Sequence, residues 1–255
     1  IFAGRVLYRT TQDSLPERWL TYDASSAPAN IPTYIEATDS SCALLDSSLR
    51  VTTNSVGQFE LPTVDPTTGA QATHVRFSRD VPGDASQNGS PCPVDVMPVI
   101  NGMDYHIAQR MAVDDPSLQA DYPDLDFNWF IAADANEDGA IRGNDAAAIA
   151  SRGVGSTCAY SGLAGELRDW VFYTQAYAAQ LFDGYNSVDY SDPQAFFGLR
   201  TSVPVLPACM PLPADGSGNA CTSFPTSIAT SNGYAILRGD VNSSWRDISH
   251  GTIAK

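Results

Sequence analysis

A twelve-residue stretch in mid-chain constrains this protein more than any other: Asp134-Ala-Asn136-Glu-Asp138-Gly139-Ala140-Ile141-Arg-Gly-Asn-Asp145. Oxygen-bearing side chains fall at its positions 1, 3, 5 and 12, glycine at 6 and an aliphatic residue at 8. A hard divalent cation such as Ca²⁺ takes six to eight oxygens at about 2.3–2.6 Å. In a tight loop alternate residues can turn inward, Gly139 allows the sharp bend, and the carbonyl of Ala140 adds one more oxygen. Ile141 then anchors the loop to a core. The candidate metal ligands are Asp134, Asn136, Asp138, Ala140 and Asp145, and the expected ion is Ca²⁺. The competing reading is a solvated acidic turn, which leaves the glycine and the aliphatic unexplained. Asp145 is shorter than a glutamate, which makes a bidentate grip at position 12 harder.

This is the spacing of an EF-hand-type loop. A second copy is traceable upstream, because Ile100-Asn-Gly-Met-Asp104 matches Ile141-Arg-Gly-Asn-Asp145. Each precedes an alanine-containing helical pattern. Ile100, Met103, Ile107 and Met111 stand at helical spacing in the first, and the second ends at Gly153. The first loop would begin at Pro93, with Asp95 and Asp104 at positions 3 and 12 but Met97 at 5. It is expected to bind calcium weakly or not at all.

Residues 1–90 read as strands. The runs Ile1–Tyr8, Thr33–Thr38, two short pieces within Leu49–Leu61 around Asn-Ser-Val-Gly, and the alternating His74–Arg79 suggest a β-sandwich. A Pro/Gly/Ser-rich stretch over 80–93 reads as a linker.

Gly4-Arg5-Val6 with Val51-Thr-Thr-Asn-Ser-Val-Gly57-Gln-Phe59 resembles the carboxypeptidase-regulatory-like (transthyretin-like) sandwich. Two loop–helix units without entering helices, followed by Arg168-Asp-Trp170-Val-Phe172 and by Tyr234-Ala-Ile-Leu-Arg-Gly239-Asp240-Val241-Asn242, resemble the dockerin-type module of bacterial surface and secreted proteins. The resemblance implies a calcium loop, a Trp-x-Phe strand and a closing Gly-Asp-Val-Asn strand. The expected fold is mainly β with α (α+β): a β-sandwich over 1–90, then a dockerin-like module over 91–255 with an insert over about 173–232. Within the insert, Tyr173–Phe182 reads as helical. Asp240 and Asn242 repeat loop positions 1 and 3, which offers a second, weaker ion site. No helix follows them, so a structural strand end is the preferred reading.

The formal charge of −15 repels nucleic acid and anionic membranes, so neither is an expected partner. No apolar run reaches the roughly 18 residues of a membrane helix. The chain starts at Ile1 without a leader, which fits a signal peptide already removed. Five cysteines without a CxxC pair suit an oxidising compartment better than a zinc site. Cys209 and Cys221 flank a Pro/Gly loop and form the first expected disulfide, Cys42 with Cys92 the second. Asn88-Gly-Ser and Asn242-Ser-Ser are acceptor sequons for glycans.

No Gly-x-Ser-x-Gly, His-Glu-x-x-His, P-loop or Gly-x-Gly-x-x-Gly motif is present, and His74, His106 and His250 are scattered. No catalytic residue is nominated. The leading expectation is an extracellular or cell-surface calcium-binding structural protein, a subunit of a filament, sheath or adhesin, self-associating into a homopolymer through its N-terminal strand. The alternatives are a dockerin docking on a cohesin-like partner and, behind it, a carbohydrate binder or glycoside hydrolase.

Overall fold

The computed structural model describes residues 1–8, 18–19, 32–79, 100–123, 125–157, 160, 170–174, 177, 192–212 and 233–241. In chain order the elements are strands β1 (Phe2–Tyr8), β2 (Arg18–Trp19), β3 (Thr33–Thr38), β4 (Arg50–Thr52), β5 (Gln58–Leu61) and β6 (His74–Arg79). Helices α1 (Gly102–Ala112), α2 (Leu118–Asp121), α3 (Phe127–Ala133) and α4 (Gly143–Gly153) follow, then β7 (Trp170–Thr174), α5 (Pro193–Arg200), β8 (Met210–Pro211) and β9 (Gly233–Leu237). Mixed α and β content, carried on two sheets, agrees with the expected α+β class at that level.

One sheet runs β2-β1-β9-β7, with β5 also paired to β1; the other runs β4-β3-β6-β8. In β6 the side chains alternate between buried and half-buried, as the sequence pattern requires of a strand with one face on the core. Phe77 of β6 stacks on Phe172 of β7 at 6.0 Å and meets Phe59 of β5 edge-on at 5.8 Å. Phe77 also packs directly on Gly233 of β9, where a Cβ would stand 2.8 Å from its ring.

The two short strands on either side of Asn54 take different partners: β4 pairs with β3, and β5 pairs with β1. Asn54 turns the corner between sheets, its side-chain oxygen accepting from Val56 and Gln58 N–H groups. Both sheets also recruit strands from beyond residue 90, through β9 and β7 in one and β8 in the other. The expected linker over 80–93 lies outside the described residues.

The N-terminal strand, through which self-association is expected, is almost wholly buried and paired within its own chain, antiparallel to β5 and β2 and parallel to β9. Leu7 and Tyr8 have partners in both β2 and β9.

The cysteines pair differently from expectation. Cys209 bonds Cys42, with 5.5 Å between their Cα atoms, so neither Cys209–Cys221 nor Cys42–Cys92 forms. Sheet topology is the reason. His74 of β6 stands opposite both Thr38 at the end of β3 and Pro211 of β8, which brings the turn after β3 and the approach to β8 together. Cys92, Cys158 and Cys221 lie outside the described residues.

Helices α1 and α4 are two copies of one unit. The N-caps Asn101 and Arg142 are extended, and Asp104 and Asp145 each accept the N–H of the cap three residues before. The C-terminal ends match as well. Val113 and Val154 are the C-caps, and Asp114 (φ 54) and Gly155 (φ 72) follow in the left-handed region. The N–H groups of Asp115 and Ser156 then reach back to the carbonyls of Arg110 and Ser151, as in a Schellman ending. Met103, grouped above with the apolar face of α1, is 48% exposed, and Ala108 is buried with Ile107 and Met111.

Candidate metal centre

The loop Asp134–Asp145 follows α3 directly. The sequence reading gave the loop no entering helix, yet Phe127–Ala133 is helical, capped by the Asp126 carboxylate on the Asn128 N–H. Every residue of α3 is buried, so it carries no amphipathic period for a sequence to display. Its last turn is tied to the end of β9 by the Gly239 N–H on the Ala132 carbonyl, 2.7 Å.

Within the loop the acidic side chains are held on backbone amides. Asp134 accepts from Asp138 and Gly139 N–H groups at 3.1 and 3.0 Å. Asn136 Oδ1 accepts from Asp138 N–H at 2.9 Å, and Asp138 Oδ1 from Ala140 N–H at 3.1 Å. Asp145 closes the ring, one oxygen on Asn136 N–H and the other on Arg142 N–H. Gly139 provides the bend at φ 83, and Glu137 adopts φ 57, a conformation that a glutamate enters only when its surroundings impose it. Ile141 is fully buried, which anchors the loop as its position suggests.

All five candidate ligands therefore fall in one turn of chain, with donor chemistry suited to a hard cation: three carboxylates, one amide and a backbone carbonyl. Among the described residues no three Asp, Glu, His or Cys side chains are gathered into a single ion-sized cluster. Their oxygens are spread around the loop on its own amides.

The electrostatics follow from burial. Asp134 is only 3% exposed. Its carboxyl is pushed up to about 7, first by burial, then by the charges of Asp145 and Asp138, against the two N–H bonds that favour ionisation. Asp145 is raised as well, again by burial first. Arg142 offsets part of this acidity, since its guanidinium stands 2.6 Å from Asp138 Oδ2.

Several residues that the motif does not contain shape the site. Arg238, fully buried at the end of β9, donates to the Ala135 carbonyl, lies 3.9 Å from Glu137 Oε1 and stacks over Tyr160 at 5.2 Å. On the other side, Ile141 N–H donates to the Arg200 carbonyl at 2.7 Å and Val203 N–H to the Gly139 carbonyl at 2.8 Å. Arg200 also grips the Asp114 carboxylate with Nε and Nη2, and its Nη1 donates to the Ile141 carbonyl at 3.3 Å. Helix α5 and the chain after it, read only as an irregular insert in the sequence, thus cover the loop. Tyr173 and Thr174, expected to open a helix, belong to β7.

At the second candidate site, Asp240 is buried and accepts the Tyr8 hydroxyl, which ties β1 to the turn after β9. Asn242 lies outside the described residues. Of the other singled-out groups, His106 is exposed on α1, and His74 contacts only Thr73 Oγ1 through Nδ1 among its described hydrogen bonds. No helix among the described residues is long and apolar enough to cross a membrane. No family model, no curated protein and no solved structure matches this chain, so the transthyretin-like and dockerin-type resemblances rest on its own residues.

Proposed function

We propose that this protein is an extracellular calcium-stabilised structural module, with Ca²⁺ held by Asp134, Asn136, Asp138, the Ala140 carbonyl and Asp145. One observation carries the reading. A buried carboxylate, Asp134, sits among the like charges of Asp138 and Asp145 on a loop whose amides already orient all three. A divalent cation relieves that repulsion and lets Asp134 ionise at neutral pH. The disulfide and the acidic surface support an extracellular setting. Calorimetric titration of metal-free protein with CaCl₂, with melting in calcium and in EDTA, tests the site. Heat of binding and a calcium-dependent rise in Tm are expected; neither appearing overturns the assignment.

The structural role is that of a subunit in a filament, sheath or adhesin. Self-association through β1 must proceed by exchange, because that strand already has in-chain partners. Negative-stain imaging should find assemblies that shorten in EDTA; particles that stay monomeric in calcium at high concentration count against it. A second reading, docking on a cohesin-like partner, draws on the matched α1 and α4 units and on Val113 and Val154, exposed at 70% and 77% at the same place in each. Binding to immobilised cohesin domains separates the two.

A further inference from the structure

We propose that the segment Arg200–Cys209 is a positioning strap for the Asp134–Asp145 loop, and that the Cys42–Cys209 crosslink sets the loop's calcium affinity through it. This rests on the calcium reading above and adds a regulator to it.

The strap holds the loop where its one backbone ligand lies. It bonds the Gly139 carbonyl through Val203 and the Ile141 N–H through the Arg200 carbonyl, the two groups on either side of Ala140. The orientation of the Ala140 carbonyl is therefore fixed from outside the loop. Gly139 is packed against the strap as well, since a Cβ there would lie 3.4 Å from the Val203 carbonyl oxygen. Val203 and Val205 share the wall of a small pocket with Asp134, Glu137 and Arg238, so the strap also lines the space beside the first proposed ligand.

The far end is pinned to the other sheet. Cys209 is bonded to Cys42, Met210 and Pro211 pair with β6, and Leu212 N–H donates to the Thr73 carbonyl. Only residues 204–208 separate the Val203 anchor from the crosslinked cysteine, and two of them, Pro204 and Pro207, have fixed φ. Six virtual bonds span at most roughly 20 Å, so the crosslink and the Val203 anchor are near neighbours along the strap. Opening the crosslink loosens one end of the strap, and the loop loses part of its preorganisation for the ion.

The test is calcium affinity of the full chain, measured by calorimetry, for the wild type, for Cys42→Ser and, as a control, for His106→Gln. Near-ultraviolet circular dichroism checks that the fold is kept. About tenfold weaker binding is expected for Cys42→Ser, within the range of ordinary coupling between sites. His106→Gln, exposed on α1 and outside the strap, should bind as tightly as wild type, and a comparable tenfold loss there would overturn the inference. Equal affinity with and without the crosslink overturns the inference while leaving the calcium site intact. Absence of binding in the oxidised wild type overturns the calcium reading and the inference together.

Because coupling is reciprocal, the wild type supplies a second measurement that needs no variant. Dithiothreitol delivers two electrons and two protons to the Cys42–Cys209 bond, giving two thiols as it closes to its own cyclic disulfide. At fixed dithiothreitol, peptide mass spectrometry should find less reduced Cys42 in calcium than in EDTA. Equal reduction in both counts against the strap.

Discussion

Asp104 and Asp145 hold the same position in two copies of one unit, each fully buried and each accepting the N–H of the residue three places before it, at 3.0 and 2.9 Å. Their surroundings differ upstream, where the Asp145 unit has an acidic loop and the Asp104 unit has Met97 and Pro98 in place of Asp138 and Gly139. Substituting each by Asn separates the capping role from the ion role. Asp104→Asn should cost about 1 kcal/mol whether or not calcium is present. Asp145→Asn should cost a similar amount in EDTA and more in calcium. Paired denaturant melts read the difference, and identical losses in both buffers for Asp145→Asn speak against its role as a ligand.

The pH dependence follows from Asp134. Its folded value of about 7 lies above the ordinary 3.8, so the native state binds the extra proton between those limits. In EDTA, stability should therefore fall as pH rises from about 4 towards 7. In saturating calcium that decline should shrink or reverse, because the bound carboxylate is ionised. Asp134→Asn should flatten the EDTA curve. Melting curves at several pH values, in both buffers, test all three statements.

Arg142 competes with a cation for Asp138. Its contact with Asp138 Oδ2 is half exposed, so it contributes little to folding. Removing it in Arg142→Gln should leave Tm in EDTA within about 2 °C and tighten calcium binding by roughly two- to fivefold. Weaker binding in this variant would place Arg142 among the loop's supports.

Gly239 is a purely structural counterpart. It lies at φ 84, and a Cβ there would overlap the Tyr160 hydroxyl. Its N–H is also the tie to the last turn of α3. Gly239→Ala should destabilise the protein by about 2 kcal/mol or more, through left-handed strain and the clash with Tyr160. A loss below about 0.5 kcal/mol would mean that Tyr160 moves aside freely.

Features fixed by short-range chemistry were legible in the sequence. The alternation of β6, the run of β1, the helical stretches of α1 and α4, and the acidic loop each come from neighbours a few residues apart. What escaped depends on distance or on burial from all sides. Helix α3 shows no period because nothing along it faces water. Strands β4 and β5 were legible as two short pieces, but their partners β3 and β1 were not, because the chain turns a corner between them at Asn54. The Cys42–Cys209 bond spans 167 residues, and no local spacing could suggest it. At the site, the motif gave the proposed ligands but not the residues that hold them, since Arg200, Val203 and Arg238 reach the loop only through tertiary packing.

The parallel pairing of Val6 with Gly233 also governs the order of events during synthesis. These residues leave the ribosome 227 positions apart, a delay of roughly 10–45 s at about 5–20 residues per second. For that interval β1, an apolar strand, waits without its central neighbour and presents a sticky flank to other nascent chains. A polypeptide cut before β9 should consequently pellet in aggregates, however well its own disulfide and ion loop are made.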